Sequence, residues 1–306
     1  MKNSEINILS ADWVLPVTGE AIENGAVAIC GDKIVEVGLR SDLIGGFEVF
    51  SEKSFGQAAI IPGLINCHSH LELTVMRGFL DDIEHEFFDW LLRIAKTRGE
   101  TLDDSEIFDS ARLGALEGVR GGVTCFGDIG RLGQAGFSAL KEFGLRGVVF
   151  QETEFSPNDA QSADAFKRLI DNFDVIKDGE NGLVKAGLSP HAPYTVSASL
   201  FSRIAEFTVS SKVPVSIHTA ESAIEEDLMQ HGNGAMAKFY AGRGIHWQAP
   251  GKSSIRYLAD LGVLEAKPLL AHCVWVSEED LDLIKSSGSS VAHCPKSNAK
   301  FGHRAA

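Results

Sequence analysis

Ala58-Ala59-Ile60-Ile61-Pro62-Gly63-Leu64-Ile65-Asn66-Cys67-His68-Ser69-His70 is the stretch that decides the fold. Residues 58–66 read as a buried strand running straight into the two histidines. Residues two apart on a strand point the same way. His68 and His70 therefore aim two imidazoles at one point at the carboxyl end of a strand, as a pair of metal ligands would be. In a β/α barrel the carboxyl ends of the strands are where chemistry takes place.

Upstream of this stretch, residues 5 to about 57 look like short strands. Ala26-Val27-Ala28-Ile29 and Ile34-Val35-Glu36-Val37 flank Gly31-Asp32, a hairpin signal. Downstream, strand patterns alternate with helix patterns. Strands are expected at 59–66, 123–128, 145–151, 184–189, 213–218, 268–273 and 289–293, and helices at 103–119, 160–177, 197–211 and 277–286. Ser277-Glu278-Glu279-Asp280 carries the hydroxyl-then-acid signature of a helix start. Strand–helix repetition implies a parallel sheet. The expected fold is α/β: a (β/α)8 TIM-type barrel over residues 58–306 with seven of its strands present. Residues 1–57 are expected to form the N-terminal part of a small composite β-sandwich domain.

The bulk numbers exclude several classes. A net charge of −14 over 306 residues argues against nucleic acid and anionic membranes as partners. No apolar run approaches the roughly 20 residues that span a bilayer. Met1-Lys2-Asn3-Ser4-Glu5 lacks the layout of a signal peptide. Cys30, Cys67, Cys125, Cys273 and Cys294 are odd in number and contain no C-x-x-C, which reads as reduced thiols in a cytoplasmic enzyme. The partner expected is a small-molecule substrate, with homo-oligomerisation left open.

Six of the ten histidines fall at expected strand ends: His68, His70, His191, His218, His272 and His293. One such histidine alone is ordinarily a hydrogen-bonded structural residue. At the ends of five strands they resist a packing explanation, because polar groups are costly in a core unless paired. In a barrel they converge on one mouth. His85, His231, His246 and His303 lie in helix-like or loop stretches and read as unremarkable. Glu221, three residues after His218, reads either as a helix N-terminal acid or as a proton carrier. Asp128 ends the second strand and reads as a structural carboxylate. His70-Leu71-Glu72 matches the H-x-E of cytidine-type zinc deaminases, but Cys294-Pro295-Lys296-Ser297 is not their P-C-x-x-C, so that family is rejected.

Pro62-Gly63-Leu64-Ile65-Asn66-Cys67-His68-Ser69-His70 resembles the first-strand signature of the amidohydrolase superfamily. Ser189-Pro190-His191-Ala192-Pro193-Tyr194, His218-Thr219-Ala220-Glu221, Ala271-His272-Cys273-Val274 and His293-Cys294-Pro295-Lys296-Ser297-Asn298 resemble its later ones. The ordered set is similar to the subgroup of S-adenosylhomocysteine, methylthioadenosine and aminofutalosine deaminases, with the chlorohydrolases. The resemblance implies one divalent metal, zinc or alternatively iron, on His68, His70 and His218. It makes Glu221 the proton carrier and places His272 beside the hydrolytic water, with His191 on the substrate. Lys185 lies too early in its strand to bridge two metals. Asp89-Trp90 takes the place of an acid and tryptophan that bind ribose, although an inward-packing amphipathic helix explains Trp90 equally well. Gln151 stands where an arginine anchors adenosylhomocysteine, and Glu72 is expected to face the substrate.

The resemblance also implies a fourth ligand, an aspartate at the end of strand eight. After Asn298 this sequence has no aspartate. The expectation is a chain that stops before strand eight, through a fragment, a frameshift or an early stop. Such a barrel has two open edges and little activity of its own. For the intact enzyme the expected activity is hydrolytic deamination of an adenine-type nucleoside with release of ammonia. The alternatives are a guanine deaminase or triazine-type chlorohydrolase, and an inactive truncated relative.

Overall fold

A computed structural model describes residues 5–83 and 86–306. The readings of Met1–Ser4 and of His85 lie outside the described residues. The chain divides into two units, Met1–Leu64 and Ile65–Ala306.

In the first unit, β1 (Ile6–Val14), β2 (Ile22–Cys30), β3 (Lys33–Leu39), β4 (Val49–Ser54) and β5 (Ala59–Ile60) form one sheet, with helix α1 (Arg40–Gly46) between β3 and β4. Its order is β3-β2-β1-β4, and β5 pairs with β1. The expected hairpin is β2–β3, turning at Gly31, whose left-handed φ of 58° suits a residue without Cβ. Alternation in β1 buries Ile6 and Ile8 against Ala26, Ala28 and Leu43.

The second unit alternates strands and helices. Its strands are β6 (Leu64–Ser69), β7 (Val123–Gly130), β8 (Arg146–Glu152), β9 (Val184–Ser189), β10 (Ser216–Thr219), β11 (Leu269–His272) and β12 (Ser290–Ala292). Its helices are α2 (Phe87–Glu100), α3 (Asp104–Arg120), α4 (Gly133–Glu142), α5 (Ser162–Lys177), α6 (Ala198–Ser211), α7 (Ala223–His231), α8 (Gly234–Gly242), α9 (Ser254–Asp260), α10 (Glu278–Ser287) and α11 (Pro295–Lys300). The strands run β6-β7-β8-β9 and β10-β11-β12, and a parallel bridge from Leu188 to Val215 connects the two sets. This is the strand order of a TIM-type barrel, and seven of its parallel strands are among the described residues.

Local chemistry explains the helix boundaries. Asp103 with Glu106 and Ser277 with Asp280 form reciprocal capping boxes at the starts of α3 and α10. Gly288, with φ 73°, ends α10. Ala111, Phe126, Leu140, Val149, Ile176, Val184, Leu188, Phe201, Ile204, Ile217 and Leu270 belong to one buried core. The expected strand 59–66 is corrected. It is two strands, β5 and β6, separated at Pro62-Gly63, because proline lacks the N–H that a continuous ladder needs. Among the described residues, no helix is long and apolar enough to cross a membrane.

Candidate metal and catalytic centre

His68 lies within β6 and His70 just past it. His218 is on β10, His272 ends β11, and His191 follows β9. All five line one cavity of about 320 Å³, a volume in the range of small-molecule sites. His293 is exposed and does not join them.

The backbone around these side chains is tightly held. Ala220, His272 and Cys273 adopt positive φ of 52°, 76° and 49°. The N–H groups of Val274 and Trp275 donate to the Ala220 carbonyl and that of Cys273 to the Thr219 carbonyl, which stabilises this turn. Non-glycine residues in this region cost about 1–3 kcal/mol each and cluster at functional sites. After β6, Asp128 accepts the Leu71 N–H at 2.8 Å and the Ser69 hydroxyl at 3.2 Å, and so orients the loop that carries His70. Burial pushes Asp128 up to about 8. A Cβ on Gly136 would stand 2.0 Å from Asp128 Oδ2, so only glycine fits there.

His68, His70 and His218 offer ligand nitrogens within 4.8 Å of one another. Their hydrogen bonds test whether they suit a cation. His70 Nδ1 is 3.0 Å from the Ile129 carbonyl and His218 Nδ1 is 3.2 Å from the His191 carbonyl. A carbonyl only accepts, so both Nδ1 atoms carry the proton. Burial, as the largest cause, holds all three imidazoles below their ordinary pKa and therefore neutral. His70 Nε2 and His218 Nε2 then face each other at 3.0 Å with a lone pair each. His68 Nδ1 is buried without a hydrogen-bond partner among the described residues. Converging neutral imidazole lone pairs fit a divalent ion. His68, His272 and Cys294 make a second close set, but burial pushes the Cys294 thiol up to about 11 and favours its protonated form.

Glu221 Oε1 lies 3.5 Å from His272 Nε2. Burial, with Glu225 nearby, pushes Glu221 up to about 8, while burial lowers His272 to about 4. At neutral pH the proton therefore rests on the carboxyl. His272 Nδ1 is 3.3 Å from Asn298 Oδ1, which directs Nε2 toward Glu221.

One wall of the cavity is apolar. Phe87, Trp90, Leu91, Ile94 and Ala95 recur at helical spacing along α2, and Trp90 meets Phe301 with ring centroids 4.4 Å apart. Trp90 thus reaches the cavity, but Asp89 points to solvent and does not line it. Gln151 does not line it either. Its amide donates to the Arg131 and Glu152 carbonyls and accepts from the Gly133 N–H. Glu72 lines the cavity with its oxygens engaged: it accepts from Arg98 at 2.9 and 3.3 Å and from the Arg131 and Leu132 N–H groups. Sequence reasoning overlooked Arg98, Arg131 and Glu152, which also line the cavity. Glu152 closes β8 and Arg131 directly follows β7, so the strand-end criterion that found the histidines would have found both.

Comparison with known proteins places these features in a family. A model described as "Amidohydrolase family" matches residues 59–306. A 5-methylthioadenosine/S-adenosylhomocysteine deaminase of Saccharophagus degradans is 30% identical over 302 residues, covering 96% of this chain and 62% of that protein. The chain thus spans about three-fifths of the length of this curated relative. The crystal structure of an adenosine deaminase from Xanthomonas campestris with bound zinc superposes with a TM-score of 0.81 at 26% identity, covering 97% of this chain and 64% of that one. Helicobacter pylori aminofutalosine deaminase in complex with methylthio-coformycin gives a TM-score of 0.82 at 24% identity, covering 97% and 75%.

Proposed function

This chain belongs to the amidohydrolase family, and from that premise we propose that the protein carrying it is a hydrolytic deaminase of adenine-type nucleosides. The observation that carries the reading is the Glu221–His272 pair, with its proton on the carboxyl, beside three imidazoles whose lone pairs converge. His68, His70 and His218 would hold one divalent ion, zinc in the first place. Such an ion acidifies water toward neutral pH, to about pKa 7.

The remaining chemistry belongs to the chain's own residues. The apolar face of α2 suits a flat heteroaromatic ring and excludes water from it. Water attack at the amine-bearing carbon leaves excess electron density on the neighbouring ring nitrogen. Glu221, protonated at neutral pH, is the group to deliver a proton there. The resulting Glu221 carboxylate takes one proton from the attacking oxygen and passes it to the amino nitrogen; the carbon–nitrogen bond then breaks, ammonia leaves, and the remaining hydroxyl proton returns to Glu221 as the carbonyl forms. His272 keeps Glu221 in line, held in turn by Asn298. His191, lowered to about 3 by burial, serves as a neutral contact for the substrate. The acidic balance and scattered thiols suit a cytoplasmic protein acting on a small molecule.

The test is ammonia release by the zinc-loaded protein from adenosine, methylthioadenosine, S-adenosylhomocysteine and guanine, alongside chloride release from a chlorotriazine. Adenine nucleosides are expected to lead. Turnover of guanine or the chlorotriazine, with none of the nucleosides, would overturn the reading.

A further inference from the structure

Glu152 is 8% exposed and lines the cavity, yet only one of its carboxylate oxygens has a partner. Oε2 accepts from Arg131 Nε at 3.3 Å, whereas Oε1 is buried with no hydrogen-bond partner among the described residues. A buried carboxylate oxygen without a donor costs free energy. Such a vacancy in a cavity wall marks a place for a donor carried by a ligand.

Glu152 also stands within 4.8 Å of His191 and His218 by their ligand atoms, which raises a second metal ion as the occupant. The hydrogen bonds argue against it. His218 has Nδ1 on the His191 carbonyl and Nε2 opposite His70, so it has no nitrogen left to give. What remains is Glu152 with His191. Thr195 donates its hydroxyl proton to the Ala192 carbonyl, so it accepts from His191 Nδ1–H at 2.8 Å. His191 Nε2 therefore keeps its lone pair. Glu152 and His191 offer ligand atoms within 4.8 Å of each other, and each has an atom without a donor, Oε1 and Nε2.

We propose that Glu152 is a specificity-determining residue that, with His191, takes hydroxyl groups of the substrate's sugar. The inference rests on the nucleoside reading above. It moves hydroxyl recognition from Asp89, which faces solvent, and from Glu72, whose oxygens are engaged, to a carboxylate oxygen that is buried without a partner among the described residues. Arg131 contacts Glu152 through Nε.

The experiment measures kcat, KM and bound zinc for the parent and Glu152→Gln with adenosine, 2′-deoxyadenosine and 3′-deoxyadenosine. A hydrogen bond to a charged group corresponds to about 10–100-fold in kcat/KM. The parent is expected to lose that factor, mainly through KM, when at least one hydroxyl is removed. Glu152→Gln is expected to lose it with adenosine and to discriminate little against the deoxy analogues, with its zinc retained. A parent that handles all three nucleosides alike overturns the inference without recourse to any variant. So does a Glu152→Gln protein that keeps full discrimination, or one whose zinc content falls with its activity, which would make Glu152 a metal ligand. In each of these cases nucleoside deamination itself survives. A protein that acts on free bases and on no nucleoside overturns both readings.

Discussion

Replacing Glu72 by glutamine tests whether this residue is part of the frame or part of the substrate surface. Its carboxylate joins three segments: the turn after β6 that carries it, α2 through Arg98, and the β7 end through the Arg131 and Leu132 N–H groups. The side chains of Glu72 and Arg98 are 5% and 18% exposed, so solvent screens the pair little. Removing one partner of a buried pair costs about 3–5 kcal/mol, because the other charge is left uncompensated. In a unit of this size each kcal/mol moves Tm by about 2–4 °C, so Glu72→Gln should lower Tm by roughly 6–20 °C. The shift should persist in 0.5 M salt. Replacing both partners with apolar residues, as in Glu72→Leu with Arg98→Met, should recover only part of the loss, because the Arg131 and Leu132 N–H groups lose their acceptor. Thermal and urea unfolding followed by circular dichroism supply the numbers. A Tm drop below about 2 °C, together with a large rise in KM, would refute the framing role and return Glu72 to the substrate.

Three more outcomes are expected. Zinc added to metal-stripped protein should bind at one ion per chain and raise Tm, by about 2.7 kcal/mol of stability at a hundredfold excess over Kd, and His218→Ala should abolish both effects; a plateau at two ions, or none, would exclude the three-histidine site. Glu221→Gln should retain the metal and lose about 10²–10⁴-fold in kcat, so turnover within a few-fold of the parent would contradict its proton-carrying role. Asp128 is held near 8 when folded and has an ordinary value of 3.8, so between those pH values the folded chain keeps a proton that the unfolded chain has released. Stability therefore falls as pH rises through that window, by up to about 1.4 kcal/mol per unit. Asp128→Asn imitates the protonated form and should match the parent near pH 4 while exceeding it above pH 8, and parallel stability curves in urea would disprove the assignment.

Much of the barrel was legible because its signals are local. Strand–helix alternation, capping boxes and histidines after apolar runs are all read within a few residues of one another. The break at Pro62-Gly63 was legible in principle too, since proline interrupts a ladder wherever it falls. What escaped depends on partners distant in sequence. Glu152 and Arg131 are separated by 21 positions, and nothing in either segment says that the carboxylate is buried with one oxygen engaged. Asp89 fails for the opposite reason. Phe87, Trp90, Leu91, Ile94 and Ala95 form one stripe on α2, and Asp89, two residues and about 200° round the helix from Phe87, falls on the opposite face. His293 directly follows β12 as His70 directly follows β6, yet it is exposed and does not line the cavity.

Several groups that oppose folding in the barrel unit gather around its histidines. Ala220, His272 and Cys273 have left-handed backbones, two imidazole lone pairs face each other, and a Glu152 oxygen lacks a donor. Each is unfavourable alone, by about 1–3 kcal/mol for each backbone and for the bare oxygen. They persist because the core on the same strands, from Phe126 and Val149 to Ile217 and Leu270, supplies more than they cost. Each polar one also has a natural remedy in a ligand: a cation between the imidazoles, and a hydroxyl against Glu152. Ligand binding therefore relieves orphaned polarity as well as adding contacts. It follows that substitutions which tidy this end of the barrel can raise the stability of the empty protein while lowering its affinity for ligand, a trade that core substitutions at Val149 or Ile217 cannot make.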